Sequence, residues 1–336
     1  MQITERTMDY SRREALKKIG MATAGLAVSG TVKALDSESK LPFYQISLAQ
    51  WSLHRAYYGK SFGRPDFRKL LTTNPAAVLQ GDIDPINFPL LAKREFGISA
   101  IEYVNNFYLS KGTDQKYWKE MKSRCDGEGV KSILIMCNLE GNLGDPDEQA
   151  RLKAVHNHHK WIDIAAVLGC HSIRVNAEGT GTMNDLKSAV VDGLGKLTDY
   201  GAAHRINVIV ENHGGYSSDG KWLSEVIRQV DSKYCGTLPD FGNFCIEKVK
   251  DQCLKQYDRY QGIAELLPFA KGLSAKSEEF SENGEEKNCD FGMIMKLARK
   301  SGFAGYVGIE YAGKTLSEPD GIMATRKLLE KVGCRV

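Results

Sequence analysis

The sequence predicts a single α/β domain with the architecture of a (β/α)8 TIM barrel. Short apolar or β-branched runs recur along the chain, and a longer segment with helical spacing of apolar residues follows each run. Eight such runs are present, at residues 44–51, 100–104, 132–137, 172–176, 208–211, 236–239, 272–276 and 306–311. Eight strand–helix units in about 300 residues fit a closed parallel barrel with right-handed crossovers.

Helix ends and the absence of a linker support one barrel domain over residues 42–334. Glycine stands where predicted helices end, as at Gly129 and Gly169. A doubly wound open sheet is the alternative, but no GxGxxG motif follows the first strand, and a single sheet of eight strands would be large. The longest segment predicted to be irregular, 55–82, follows the first strand. We expect it to form a lid or rim over the catalytic mouth.

Composition excludes several classes of protein. The 336 residues include 45 Lys and Arg, 42 Asp and Glu, and 42% apolar residues, which is typical of a globular protein and not of a disordered, collagenous or polytopic membrane chain. Residues 35–336 contain 39 residues of each charge, so nucleic acid and anionic membranes are not indicated as partners. The eight cysteines show no CxxC or zinc-site spacing, and Cys137 and Cys170 are expected to be buried thiols.

Residues 1–34 have the pattern of an export signal of the twin-arginine type. Arg12 and Arg13 precede a modest apolar run, and Ala34 closes a plausible cleavage site. The apolar run is too short for a stable membrane anchor. A frayed amphipathic N-terminal helix is the alternative. The prediction is export to the periplasm, where disulfides can form.

Polar residues stand at the predicted carboxyl ends of the strands, where barrel enzymes place their chemistry. They are Glu102, Asn138, Arg174, Asn176, Glu211, Asp240, Lys276 and Glu310. Each acid alone could cap a helix or form a salt bridge. Glu211, Asp240 and Glu310 together would repel one another at one mouth unless a cation held them. Their oxygen ligands suit Mn²⁺, Mg²⁺ or Zn²⁺.

Other polar side chains have more than one interpretation. His213 lies two residues beyond Glu211 and so faces the same side, as a ligand or, more simply, as a hydrogen-bonding group. His54 follows the first strand and either binds substrate or packs in the structure. Lys276 needs a catalytic role or a carboxylate partner. A solvated helix face, not a metal site, is expected for His156, His158 and His159.

Three segments resemble the xylose isomerase-like TIM-barrel superfamily. They are Val-Ile-Val-Glu211-Asn-His-Gly-Gly, Leu-Pro-Asp240-Phe-Gly-Asn243 and Gly-Tyr-Val-Gly-Ile-Glu310-Tyr. The superfamily groups sugar phosphate isomerases and epimerases, ketose 3-epimerases, inosose dehydratases and endonuclease IV. The resemblance extends from about Pro42 to Cys334.

The resemblance implies one divalent ion held by strand-end residues, three of which match Glu211, Asp240 and Glu310. The family's fourth ligand is a histidine that falls at Ser274, and a histidine often found three residues after the aspartate falls at Asn243. His213, water or substrate would then complete the metal shell, or the site is weakened or lost.

The implied reaction is proton abstraction alpha to a carbonyl group, which gives an enediolate and makes the chain an isomerase or epimerase. Glu211 and Glu310 would be the base and acid, with Lys276 as an alternative acid or oxyanion partner. Expulsion of a β-leaving group would instead make a lyase or dehydratase, and its reverse a hydratase. The candidate substrate-binding residues are His54, Glu102, Asn138, Asn176, His213 and Asn243.

Export favours an unphosphorylated keto-sugar or related carbohydrate, because sugar phosphates are chiefly cytoplasmic. A nuclease is disfavoured by the neutral charge and the few well-placed histidines. A non-catalytic sugar-binding barrel is the remaining alternative. The expected partner is a small carbohydrate, with no nucleic acid and no stable membrane anchor. A homo-oligomer is left open.

Overall fold

A computed structural model describes residues 42–250 and 252–334 of the chain. The export signal expected at residues 1–34 lies outside the described residues. Ten strands are present in this part of the chain: β1 Gln45–Ala49, β2 Ala100–Val104, β3 Lys131–Met136, β4 Ser172–Val175, β5 Asn207–Glu211, β6 Cys235–Leu238, β7 Cys245–Val249, β8 Gln252–Gln256, β9 Leu273–Ser277 and β10 Tyr306–Tyr311. All eight sequence-predicted strands are confirmed, with ends displaced by at most two residues.

Eight of these strands form a parallel barrel in the order β6-β5-β4-β3-β2-β1-β10-β9. Two parallel bridges close the gap between β6 and β9, joining Thr237 to Ala270 and Asp240 to Ser274. The amide of Ser274 donates to the carbonyl of Pro239 at 2.9 Å, which strengthens the closure. Asp240 therefore lies on the seam of the barrel.

Helices cover the outside of the barrel. They are α1 His54–Tyr58, α2 Phe67–Thr73, α3 Phe88–Arg94, α4 Gln115–Glu128, α5 Glu148–Leu168, α6 Met183–Ala203, α7 Gly220–Val230, α8 Arg259–Leu266, α9 Phe291–Lys300 and α10 Glu318–Gly333. Asp147 caps α5 by accepting from the amide of Ala150 at 2.7 Å. Helices α4 and α5 end at Gly129 (φ 63°) and Gly169 (φ 77°), as predicted, because these ends need a left-handed residue.

The core lies between the strands and the helices. Trp118 of α4 and Trp161 of α5 are almost fully buried and pack edge to face, with ring centroids 6.2 Å apart. Cys137 and Cys170 are buried free thiols, which confirms their prediction. His158 is also buried, and its Nδ1 lies 2.7 Å from the carbonyl oxygen of Ala154. The expectation of a solvated face is therefore wrong for His158.

Two segments differ from the sequence expectation. Segment 55–82 is not irregular, because it contains most of α1 and all of α2, and two 3-10 turns. Strands β7 and β8 form an antiparallel hairpin that was not predicted, and a disulfide joins Cys245 to Cys253. Among the described helices, none combines the length and apolarity needed to cross a bilayer.

Candidate active site

Three carboxylates converge at the carboxyl end of the barrel, as the sequence predicted. Glu211 ends β5, Asp240 stands two residues after β6, and Glu310 lies in β10. None of the three residues is more than 4% exposed. Buried carboxylates need hydrogen-bond donors or cations to offset the loss of water, so their partners determine what the site can do.

Asp240 is held by the protein on both of its oxygens. Its Oδ1 accepts from the amides of Gly242 at 2.8 Å and Asn243 at 2.9 Å, and its Oδ2 accepts from Ser274 Oγ at 2.7 Å. The side chain of Asn212 fixes the backbone beneath it, because its Oδ1 accepts from the Asp240 amide at 2.7 Å. Burial raises the pKa of Asp240 to about 7; the Lys276 charge opposes this rise, and neighbouring carboxylates add to it.

Glu211 faces a guanidinium. Its Oε2 lies 2.7 Å from Arg174 Nε of β4, in a contact of opposite charges that is not aligned as a hydrogen bond. Its Oε1 accepts from Asn243 Nδ2 at 2.9 Å. Burial raises the pKa of Glu211, although the Arg174 charge opposes the rise. Arg174 also donates to the side-chain oxygens of Asn138 at 3.1 Å and Asn176 at 2.9 Å.

Glu310 pairs with Lys276, which lies opposite it in the register of β9 and β10. Lys276 Nζ donates to Glu310 Oε1 at 3.0 Å. Burial alone would raise the pKa of Glu310, but the Lys276 ammonium outweighs it and holds that pKa below its ordinary value. Burial opposes the charge of Lys276, yet the attraction of Glu310, Asp240 and Glu211 raises the lysine pKa. Both groups of this pair are therefore ionised at neutral pH.

Glu102, expected to bind substrate, lies in the barrel interior and is 1% exposed. Its Oε1 accepts from Ser47 Oγ at 2.6 Å, and its buried Oε2 has no hydrogen-bond partner in the described part of the chain. A Cβ at Gly308 would lie 2.5 Å from the Glu102 carboxylate, so glycine leaves room for this acid. Burial raises the pKa of Glu102 to about 8, despite the Ser47 hydrogen bond. A pKa in this range favours the protonated form of Glu102 at pH 7.

The remaining predicted residues lie around the rim. His54 Nδ1 lies 2.8 Å from the carbonyl oxygen of Trp51, and the two rings stack with centroids 4.8 Å apart. Asn138 Nδ2 donates to Asn106 Oδ1 at 3.0 Å. His213 keeps 42% of its side-chain surface exposed, but its ring lies in the concave mouth, where desolvation and the neighbouring cations lower its pKa.

The predicted divalent ion was tested against this arrangement. Among residues 42–250 and 252–334, no three His, Cys, Asp or Glu side chains are grouped so that they could hold a metal ion. Glu211 and Glu310 face Arg174 and Lys276, and both oxygens of Asp240 accept hydrogen bonds from the protein. These side chains, as arranged, do not fit a metal ion.

Sequence reasoning missed two partners in this mouth. Arg174 was recognised at a strand end but was not included among the site residues. It lies two residues before Asn176, so the two side chains face the same side of the strand. Ser274 was noted only as a departure from the family histidine, whereas it donates directly to Asp240. The alternation of side chains along β4 and β9 was the signal that could have identified both.

Comparison with known proteins agrees with the fold. The family model described as "Xylose isomerase-like TIM barrel" matches residues 90–332, and the chain belongs to this family. No curated protein matches the sequence.

Solved structures resemble it at low identity. The IolI protein with bound zinc has a TM-score of 0.61 at 11% identity, covering 87% of this chain and 98% of its own. A xylose isomerase-like TIM barrel protein from Mycobacterium smegmatis in complex with magnesium has a TM-score of 0.61 at 17% identity, covering 88% and 97%. The 3-keto-D-glucoside 4-epimerase from E. coli has a TM-score of 0.57 at 16% identity, covering 74% and 95%. At these identities the similarity establishes the fold alone.

Proposed function

We propose that the chain is a sugar isomerase or epimerase that moves a proton on the carbon next to a carbonyl group. The substrate is an unphosphorylated keto-sugar or a related carbohydrate. The observation that carries this proposal is the buried group of Glu211, Asp240 and Glu310 beside Lys276 at the barrel mouth. The family and the keto-glucoside epimerase among its structural relatives support the same reaction class.

The proposed reaction uses Glu211 as the base and the pair of Lys276 and Glu310 as the acid. The Glu211 carboxylate accepts the α-proton, and the electron pair of the broken C–H bond moves onto the carbonyl oxygen to give an enediolate. Lys276, 3.0 Å from Glu310, donates hydrogen bonds to that oxygen. Glu310, itself ionised, holds the Lys276 ammonium, which delivers a proton to the opposite face of the same carbon in an epimerase; the proton on Glu211 leaves to solvent and Lys276 regains one from water. In an isomerase, Glu211 returns its proton to the neighbouring carbon, while the former carbonyl oxygen gains a proton from Lys276 and the neighbouring hydroxyl gives one back to the amine.

Elimination is the second candidate, and the ammonium of Lys276 is the observation that favours it. A charged amine beside the enediolate can protonate a departing hydroxyl or alkoxyl group on the β-carbon, so the same residues would act as a lyase or dehydratase. The reverse reaction would be a hydratase. If no substrate reacts, the remaining candidate is a barrel that binds sugar and does not catalyse a reaction.

The surroundings of the mouth support a substrate larger than one free sugar. A groove of about 660 Å³ runs from His213 to the β7–β8 hairpin, with Tyr216, Glu178 and Glu247 in its wall. Aromatic and carboxylate side chains are suitable partners for sugar faces and hydroxyl groups. The two cations at the mouth, Arg174 and Lys276, already face carboxylates. A glycoside without phosphate suits both features.

We propose that the chain works in an oxidising compartment after export. The disulfide between Cys245 and Cys253 supports this location, because such bonds persist outside the cytosol. Replacement of Arg12 and Arg13 by lysine is the test. Retention of the unprocessed chain in the cytoplasm is expected, and unchanged export would contradict the twin-arginine assignment.

Solvent deuterium incorporation tests the proposed reaction. Keto-sugars and ketoglycosides are incubated with the protein in D2O, and NMR follows loss of the α-proton signal and any new product. We expect exchange with at least one substrate, strongly reduced in Glu211→Gln. The matched control is Glu225→Gln on outer helix α7, which should retain full activity. Exchange that survives unchanged in Glu211→Gln would reject Glu211 as the base.

A further inference from the structure

The side chain of Lys276 lies among the three acidic strand ends. Its Nζ is 3.0 Å from Glu310 Oε1, and the negative charges of Asp240 and Glu211 also act on it. Only 16% of its side-chain surface is exposed, although lysine is seldom buried. A buried ammonium at this place is stable because several carboxylates surround it.

The backbone near Asp240 is shaped to admit this lysine. A Cβ on Gly242 would lie 2.9 Å from the Cδ of Lys276, so a larger residue there would displace the lysine stem. Ser274 stands two residues before Lys276 and faces the same side of β9. Its hydroxyl donates at 2.7 Å to Asp240 Oδ2, the oxygen that the amides of Gly242 and Asn243 do not hold.

Arg174 of β4 provides a second positive charge at the mouth, 2.7 Å from Glu211. Lys276 and Arg174 together carry two positive charges against the three carboxylates. One divalent ion would supply the same compensation. The sequence predicted that the three carboxylates require a cation beside them. Lys276 and Arg174 supply that positive charge.

A divalent ion and these side chains would compete for the same carboxylates. An ion that bound Glu310 would have to displace Lys276 and leave a buried ammonium without its partner, at a large cost in free energy. We infer that Lys276 and Arg174 take the place of the divalent ion, so that this barrel stabilises its reaction intermediate with protein cations and without metal. The reaction named here rests on the proposed function, whereas the occupancy of the site does not.

The experiment measures metal binding directly. Wild type, Lys276→Met and Ser274→His/Lys276→Met are equilibrated with Mn²⁺ or Zn²⁺, and bound metal is counted by mass spectrometry while ion-induced changes in Tm are recorded. We expect no stoichiometric ion and no rise in Tm for wild type. The double variant, which removes the ammonium and restores an imidazole, should bind about one ion per chain and become more stable with it.

Binding of about one ion by wild type, lost in Asp240→Asn, would overturn the inference. Failure of a correctly folded double variant to bind any ion would also contradict it, because removal of the competing cation would not have freed the carboxylates. If that variant does not fold, as judged by circular dichroism, the wild-type measurement still decides. Lys276→Arg then tests whether the protein folds when a positive charge is kept at this position.

The result of the metal-binding experiment can be distinguished from the result of the deuterium-exchange experiment that tests the proposed function. Absence of deuterium exchange with every sugar would reject the proposed reaction and leave the metal measurement valid. Exchange that requires added Mn²⁺ would support the reaction and reject the role of Lys276 and Arg174 as the replacement for the ion.

Discussion

Strands β4, β5, β6, β9 and β10 bring charged side chains to the mouth of the barrel, whereas β1 to β3 bring aromatic and amide groups. On the first side, Glu310 pairs with Lys276 in a buried contact. On the second side, His54 stacks on Trp51, and the Asn138 amide group donates to Asn106. Under the proposed function, the charged side would move protons and the uncharged side would orient the sugar.

The largest expected effect comes from removing the base on the charged side. Glu211→Gln keeps the shape of the side chain but cannot accept a proton, so kcat should fall on the order of 10²–10⁴-fold while KM changes little. Steady-state kinetics with an exchanging sugar measure this. An increase in KM at unchanged kcat would place Glu211 with the sugar-binding residues and not with the groups that move protons.

Loss of the Lys276 ammonium should reduce kcat nearly as much. Lys276→Met removes the hydrogen bonds proposed for the developing oxyanion, and kcat should fall on the order of 10²–10³-fold. Lys276→Arg keeps the charge and should recover part of the rate. Equal loss in both variants, with folding intact, would show that the charge of Lys276 is not what the reaction uses.

A smaller effect, on binding, is expected on the uncharged side. Asn138→Ala removes amide hydrogen bonds, and we expect KM to rise up to about tenfold with kcat within about twofold of wild type. Asn184→Ala, at an exposed position of α6, is the control. A collapse of kcat in Asn138→Ala would mean that its contact with Arg174 matters more than contact with the sugar.

The smallest effect concerns stability beneath the mouth. The pKa of Glu102 is raised from its ordinary 4.5 to about 8, so the folded state binds this proton more tightly than the unfolded state. Its contribution is therefore fully present below pH 4.5 and is lost as pH rises through about 8. We compare the free energy of unfolding of Glu102→Gln with that of wild type. The variant's advantage over wild type should be larger at pH 8 than at pH 4, by at least about 1 kcal/mol.

Denaturant unfolding at the two pH values measures the difference. A difference between Glu102→Gln and wild type that does not change with pH would contradict the raised pKa. The same variant should leave KM nearly unchanged, because Glu102 is buried below the mouth. A large rise in KM would restore the sequence expectation that Glu102 binds substrate.

The barrel and the positions of its polar strand ends could be predicted from the sequence, because apolar periodicity marks the strands and strand ends converge in a parallel barrel. The pairing of side chains could not. The contact between Arg174 and Glu211 depends on the register of β4 and β5, where Arg174 lies opposite Ile209. A sequence does not give this register.

Two other features escaped prediction for different reasons. The strands of the β7–β8 hairpin are largely exposed, so their sequence shows no alternation of apolar residues. A disulfide at Cys245 links the two strands, and no apolar core is needed to hold them together. His158 lies on the buried face of α5 between Ala154 and Trp161, at helical spacing, but a polar local composition concealed that face.

Deuterium exchange into an active keto-sugar, measured before and after exhaustive removal of metal with a chelator, distinguishes catalysis by protein cations from catalysis by a bound ion. Chelated wild type should exchange at an unchanged rate, whereas Lys276→Met should lose exchange. Loss of exchange on chelation, with recovery when Mn²⁺ is returned, would contradict the claim that Lys276 and Arg174 replace the divalent ion.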